Sequence, residues 1–145
     1  MSKIMKTNIV HTAVWAVVTV GIVLIFAMRG TARNWGNEPW KVIVSAFLVA
    51  SGFIVDFFIR VYEKSKKNNI IKDERDREIQ MEAVYKAFVV LLLYIFVLSA
   101  VLYIKYQDAG AVPAGWLWFI AYSAVACANF VAGVFALLGY ADRGN

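Results

Sequence analysis

Four long apolar stretches separated by charged connections dominate this sequence, and each is close to the length that crosses a lipid bilayer. A hydrocarbon layer of roughly 30 Å is spanned by about 20 apolar residues as helix. Ile9 to Met28 forms an uncharged run whose one strongly polar member is His11. The second stretch starts near Trp40 or Lys41, is uncharged from Val42 to Val55, and continues past Asp56 and Arg60 to about Tyr62. The third is uncharged from Ala87 to Ile104 and the fourth from Trp116 to Ala141. Helices are expected throughout, because an isolated strand in lipid leaves its backbone groups unpaired. The expected fold is therefore all-α: a polytopic membrane protein, one integral domain over 1–145, with spans at about 9–28, 41–62, 84–105 and 116–140 in a four-helix transmembrane bundle. Hydrophobic residues make up 61% of the 145 residues and aromatics 15%, more than a soluble core of this size hides.

The cations set the expected orientation. Lys3, Lys6, Arg60, Lys64, Lys66, Lys67, Lys72, Arg75, Arg77, Lys86 and Arg143 fall on one side of a four-span layout, and only Arg29, Arg33, Lys41 and Lys105 on the other. The positive-inside tendency then puts both termini and the central loop in the cytoplasm, N-in and C-in, as expected for a prokaryotic cell membrane. Trp35, Trp40, Trp116 and Trp118, with Tyr103 and Tyr106, suit the outer interface, and Tyr62, Tyr85 and Tyr140 the inner one. The lysines before the first stretch also suit a secretory signal. That run is longer than a usual signal core, and Phe26 to Asn34 offers no convincing small-x-small cleavage site, so a retained anchor is expected. The net charge of +5 matches an anionic inner leaflet, and nucleic acid is not an expected partner.

The soluble part is mainly a cytoplasmic helical loop over about 63–83. It opens with the polar run Glu-Lys-Ser-Lys-Lys-Asn-Asn, a turn or linker, and continues as Asp-Glu-Arg-Asp-Arg-Glu-Ile from Asp73 to Ile79. Asp73 suits an N-cap, and the acidic residues after it favour a helix N-terminus that leads directly into the third span. Glu74, Glu78 and Glu82 recur every four residues, with Asp73 and Asp76 on an adjoining face. Such a face offers carboxylates to a cation or a basic partner surface; its simpler reading is a solvated helix relieved by Arg75 and Arg77. The segment Asp73, Glu74, Arg75, Asp76, Arg77, Glu78 is the candidate partner-binding loop. This run, followed by Ala83 and Ala87 and the apolar third span, resembles the Asp-Glu-Arg-Asp loop of a family of small four-span predicted membrane proteins of unknown function from bacteria and archaea. The resemblance implies an integral membrane protein and carries over no functional residue.

Ionisable groups inside a bilayer cost free energy and mark sites to explain. Asp56 is the main one, about 24 Å from Trp40 along the helix axis at about 1.5 Å per residue, hence in the inner leaflet. Arg60 lies one turn on, so an ion pair closing the inner end of the bundle is one reading. A second makes Asp56 a proton- or cation-binding carboxylate joined by His11 from the first span; a third, a contact with a partner subunit. Asn129 completes the candidate intramembrane polar set Asp56, Arg60, His11, Asn129, through an expected hydrogen bond across helices. In the fourth span Ala124, Ala128, Ala132 and Ala136 repeat every four residues with Gly133 and Cys127 beside them, a stripe suited to close helix packing within the chain or at a homo-oligomer seam.

These features contain no zincin, nucleophile elbow, nucleotide loop or paired haem-ligand set. Cys127, the single cysteine, makes neither an intrachain disulfide nor a multi-cysteine metal site. No catalytic residue, cofactor or metal is expected. The function expected from the sequence is a non-enzymatic membrane-embedded interaction or regulatory module. The alternative is a small oligomeric channel or transporter for protons, ions or small solutes using Asp56.

Overall fold

The structure, a computed structural model, describes residues 3–28, 38–65 and 74–142, excluding the side chains of Lys3, Ile4, Arg60 and Glu63 to Ser65. Asp73, the expected N-cap, and the pairing of Asp56 with the Arg60 side chain lie outside what is described. The chain forms α1 (Lys3–Ala27), α2 (Pro39–Ser65), α3 (Glu74–Tyr106) and α4 (Gly115–Asp142). All four helices are long and apolar enough to cross a membrane.

Local sequence explains the helix ends. Pro39 opens α2, where its missing N–H would have no helical partner in any case. Glu74 and Asp76 occupy the first turn of α3 and Lys105 its last, both favourable to the helix dipole. Beyond Tyr106 the chain turns through Gly110 at φ 66°, a conformation that disfavours a Cβ.

The helices alternate in direction, and packing is heaviest for α4 against α3 and α1, then α1 against α2, with a lighter α2–α4 contact. The lateral order is thus α2, α1, α4, α3. Trp15, Val18, Ile22 and Ile25 of α1 are buried, spaced three or four residues apart on one face. Lys41, Ser45, Val49, Gly52 and Asp56 form the matching buried stripe of α2. Around Trp15, Val18, Ile22, Val49 and Ala126 gather Leu48, Phe119, Tyr122, Val125 and Phe130 to make the core.

The outer helices bury little more than one stripe each. On α3 only Ile79, Ala83, Ala87 and Leu102 are fully buried. Phe88, Leu92, Phe96, Phe47, Phe57 and Phe58 are among the large apolar side chains left exposed on α3 and α2. Water would penalise such a surface heavily, whereas hydrocarbon tails accept it.

Close approach occurs at glycines. A Cβ at Gly133 would collide with Thr12 Oγ1 of α1, and one at Gly139 would lie 2.8 Å from Ile79 Cγ2 of α3. Of the alanine stripe, Ala136 is fully buried while Ala124, Ala128 and Ala132 are half-buried.

The end of the bundle where α1 finishes and α4 begins is closed by rings and one buried cation. Phe26 lies 4.9 Å from Trp116 and 4.0 Å from Phe119 between ring centroids, and Trp116 Nε1 donates to Tyr106 Oη at 3.0 Å. Lys41, fully buried, donates from Nζ to the Met28 carbonyl at 2.8 Å and pairs with Glu38 at 2.6 Å. The ammonium thus serves a carbonyl at the C-terminal end of α1, where the helix dipole favours a cation.

Candidate functional site

At the opposite end, where α1 and α3 begin and α2 and α4 finish, an ionisable cluster lies between α1 and α2. His11 and Trp15 are four residues apart on α1, so both side chains reach the same partner surface. His11 Nδ1 lies 2.8 Å from Asp56 Oδ1, and Trp15 Nε1 donates to Asp56 Oδ2 at 2.9 Å. Each carboxylate oxygen of Asp56 therefore has its own nitrogen partner from the neighbouring helix. An ionised carboxylate only accepts, so in that state Nδ1 carries the hydrogen and a neutral His11 ring keeps Nε2 as an acceptor.

Shape holds the cluster together. Trp15 is fully buried; Phe53 meets it edge-on at 5.1 Å. A Cβ at Gly52 would stand 3.1 Å from Trp15 Cη2, so the indole lies against bare backbone. His11 is packed by α4, with its Cδ2 3.2 Å from the Cβ position of Gly133. Asp56 keeps 9% of its surface exposed, and its side chain 11% against 23% for His11. From Trp15 toward the far end the next buried contacts are apolar, from Val18, Ile22, Val49 and Ala126, with Ser45 and Lys41 of α2 buried beyond them.

The sequence paired Asp56 with Arg60 or His11, and the described contact is with His11. Trp15 was missed as a ligand of Asp56; its spacing of one turn from His11 was the available signal. Asn129 donates from Nδ2 to the Val125 carbonyl of its own helix at 2.8 Å, in place of the expected bond across helices. An amide folded back on the preceding turn satisfies one of its two N–H donors without a neighbour. A polar contact between helices that the sequence did not suggest joins Tyr94 Oη of α3 to Ser123 Oγ of α4 at 2.7 Å. Nearer the charged end, Gln80 Nε2 donates to Asn8 Oδ1 at 3.3 Å.

The charged segment forms the first turns of α3, with Glu74, Arg75, Arg77 and Glu78 exposed and Asp76 half-buried. Cys127 is a free, half-buried thiol. Among the described residues no group of three or more His, Cys, Asp or Glu side chains could hold a metal ion.

Fold and cluster together define an all-helical membrane protein: a bundle of four membrane-capable helices with an ionisable pair between the first two. The chain belongs to the family described as "Predicted membrane protein (DUF2178)", whose model matches residues 14–140 and so takes in Trp15 and Asp56, with His11 just before it. No curated protein and no solved structure matches the chain.

Proposed function

We propose that this protein is a non-enzymatic membrane module that holds or regulates a partner protein through the charged start of α3, in a prokaryotic cell membrane with both termini cytoplasmic. The observation that carries the reading is the continuity of α3 over 33 residues. At about 1.5 Å per residue it is about 50 Å long, against a hydrocarbon layer of roughly 30 Å. Even with a tilt of about 20°, several turns extend past the hydrocarbon. The turns from Glu74 to Glu82 carry the exposed charges, and Ile79 ties them to α4, so a load on this lever reaches the bundle directly.

A groove of about 630 Å³ along Arg77, Gln80, Met81, Val84, Tyr85 and Phe88 adds apolar surface where the charged turns meet the apolar ones. Met81 and Tyr85 are more than 60% exposed, an amphipathic surface suited to a partner helix with a basic flank. The non-enzymatic part of the reading rests on the sequence, with its single histidine and single cysteine. Combined Glu74→Lys and Glu78→Lys substitution is expected to remove a co-purifying partner at least about tenfold, through opposed charge at the surface, while Asp56→Asn leaves it bound. Equal retention by the charge-reversed variant would overturn the reading.

The His11–Asp56 contact is the observation that favours a second reading, conduction of protons, ions or small solutes by an oligomer. Against it, both Asp56 oxygens are engaged and the adjoining core is apolar. Proteoliposomes of the parent protein are expected to pass protons no faster than empty vesicles. Flux that Asp56→Asn abolishes would transfer support to conduction.

A further inference from the structure

We propose that the groove between the start of α3 and the end of α4 binds the headgroup of a zwitterionic aminophospholipid, a lipid carrying one phosphate and one primary ammonium. The groove is open on one side, has a volume of about 590 Å³ and is lined by Glu82 and Lys86 of α3 and by Phe135, Leu138 and Asp142 of α4. Gly139 lets Ile79 close against α4 and form its floor. Its position matches a headgroup, because Glu82, Lys86 and Asp142 lie where the uncharged stretch of α3 begins and that of α4 ends.

Lys86 and Glu82 pair at 2.8 Å with their side chains 49% and 46% exposed, and Lys86 Nζ stands 5.6 Å from the Phe135 ring centroid. An exposed pair of this kind is weak and opens readily to a competing ligand. The rim thus offers one ammonium and two carboxylates above an apolar wall of Phe135 and Leu138. An anionic lipid with only a phosphate satisfies Lys86 and meets two carboxylates of its own sign. A choline lipid brings a cation with no N–H to donate. An ethanolamine headgroup supplies both complements: phosphate oxygens for Lys86, and three N–H donors for Glu82 and Asp142, each a charge-assisted bond. The first acyl carbons then continue along Leu138 and Phe135. This inference stands on the α3–α4 groove alone and does not depend on a protein partner.

The test is native mass spectrometry of the full chain released from nanodiscs holding equal parts phosphatidylethanolamine, phosphatidylglycerol and phosphatidylcholine. The expected result is one retained phosphatidylethanolamine, favoured at least about tenfold over either competitor. Lys86→Gln and Glu82→Gln should each reduce retention to background, whereas Lys105→Gln at the other end of α3 leaves it unchanged. Circular dichroism of each variant checks that it remains folded. Preference for phosphatidylglycerol, equal retention of phosphatidylcholine, or full retention by both groove variants would each overturn the proposal.

Discussion

Asp56→Ala is expected to destabilise the bundle by about 2–5 kcal/mol, because it removes the acceptor of two donors at once, one fully buried and one half-buried, at about 1–3 kcal/mol each. The Trp15 indole N–H, on a fully buried side chain, and the His11 ring nitrogen both end on this one carboxylate. Water does not readily replace the lost acceptor, since Phe53, Gly52 and the apolar core surround the indole. An unfolded chain that remains in the membrane also finds partners for its polar groups, which keeps the effect below the full sum. Asp56→Asn retains one acceptor oxygen and should cost less than Asp56→Ala. The measurement is unfolding in mixed detergent micelles, followed by far-ultraviolet circular dichroism, with a double-mutant cycle through His11→Ala to isolate the pair. A loss under about 0.5 kcal/mol for Asp56→Ala, the ordinary range for an inert surface position, would mean that the cluster does not hold α1 to α2.

The second large effect is expected at Gly133. Its Cβ position collides with Thr12 Oγ1 and lies 3.2 Å from Thr12 Cβ and His11 Cδ2. Thr12 has limited freedom to withdraw, as its hydroxyl donates to the Asn8 carbonyl at 2.7 Å. Valine at this position must therefore push α4 away from α1 beside the Asp56 cluster. Overpacking of this kind costs about 1–3 kcal/mol and occasionally more, while the helix-propensity gain over glycine is only a few tenths. Gly133→Val is expected to lower stability by at least about 2 kcal/mol in the same unfolding assay, Gly133→Ala by less, and Ala128→Val, at a half-buried position, least. Its effect should be non-additive with Asp56→Ala, since both act through His11. Equal losses at 128 and 133 would contradict the placement of the α1–α4 seam.

The difference between Ala128 and Gly133 shows where sequence patterning stops being informative. Residues four apart advance about 40° beyond a full turn, so Ala124 to Ala136 wraps about 120° around α4 and cannot stay on one seam. Ala126 and Gly133, both buried, are seven apart and nearly eclipsed in projection, and Gly133 marks the close approach to α1. The repeat was visible in the sequence, but which small residue met a neighbour depended on the order in which the helices pack. The apolar stretches themselves were easy to locate, because bilayer thickness imposes their length whatever they pack against.

The polar contacts were legible only in part. Asp56 stood out as a carboxylate in an apolar helix, and His11 as the sole histidine in the stretch before it, and the two meet. Trp15 gave only the weaker signal of its one-turn spacing from His11, since a tryptophan in a membrane helix is more often an interfacial anchor than a buried donor. Lys41 was placed by charge on the outer side; its burial against the Met28 carbonyl depends on where α1 ends, which hydropathy alone does not set.

We propose that the charged start of α3 engages a partner protein. The most direct test is native mass spectrometry of the chain extracted gently from its own membranes, beside the same preparation carrying Glu74→Lys and Glu78→Lys. The account predicts a stoichiometric foreign subunit on the parent that is missing from the charge-reversed form. A bare chain, or copies of this chain alone, in both preparations would contradict it.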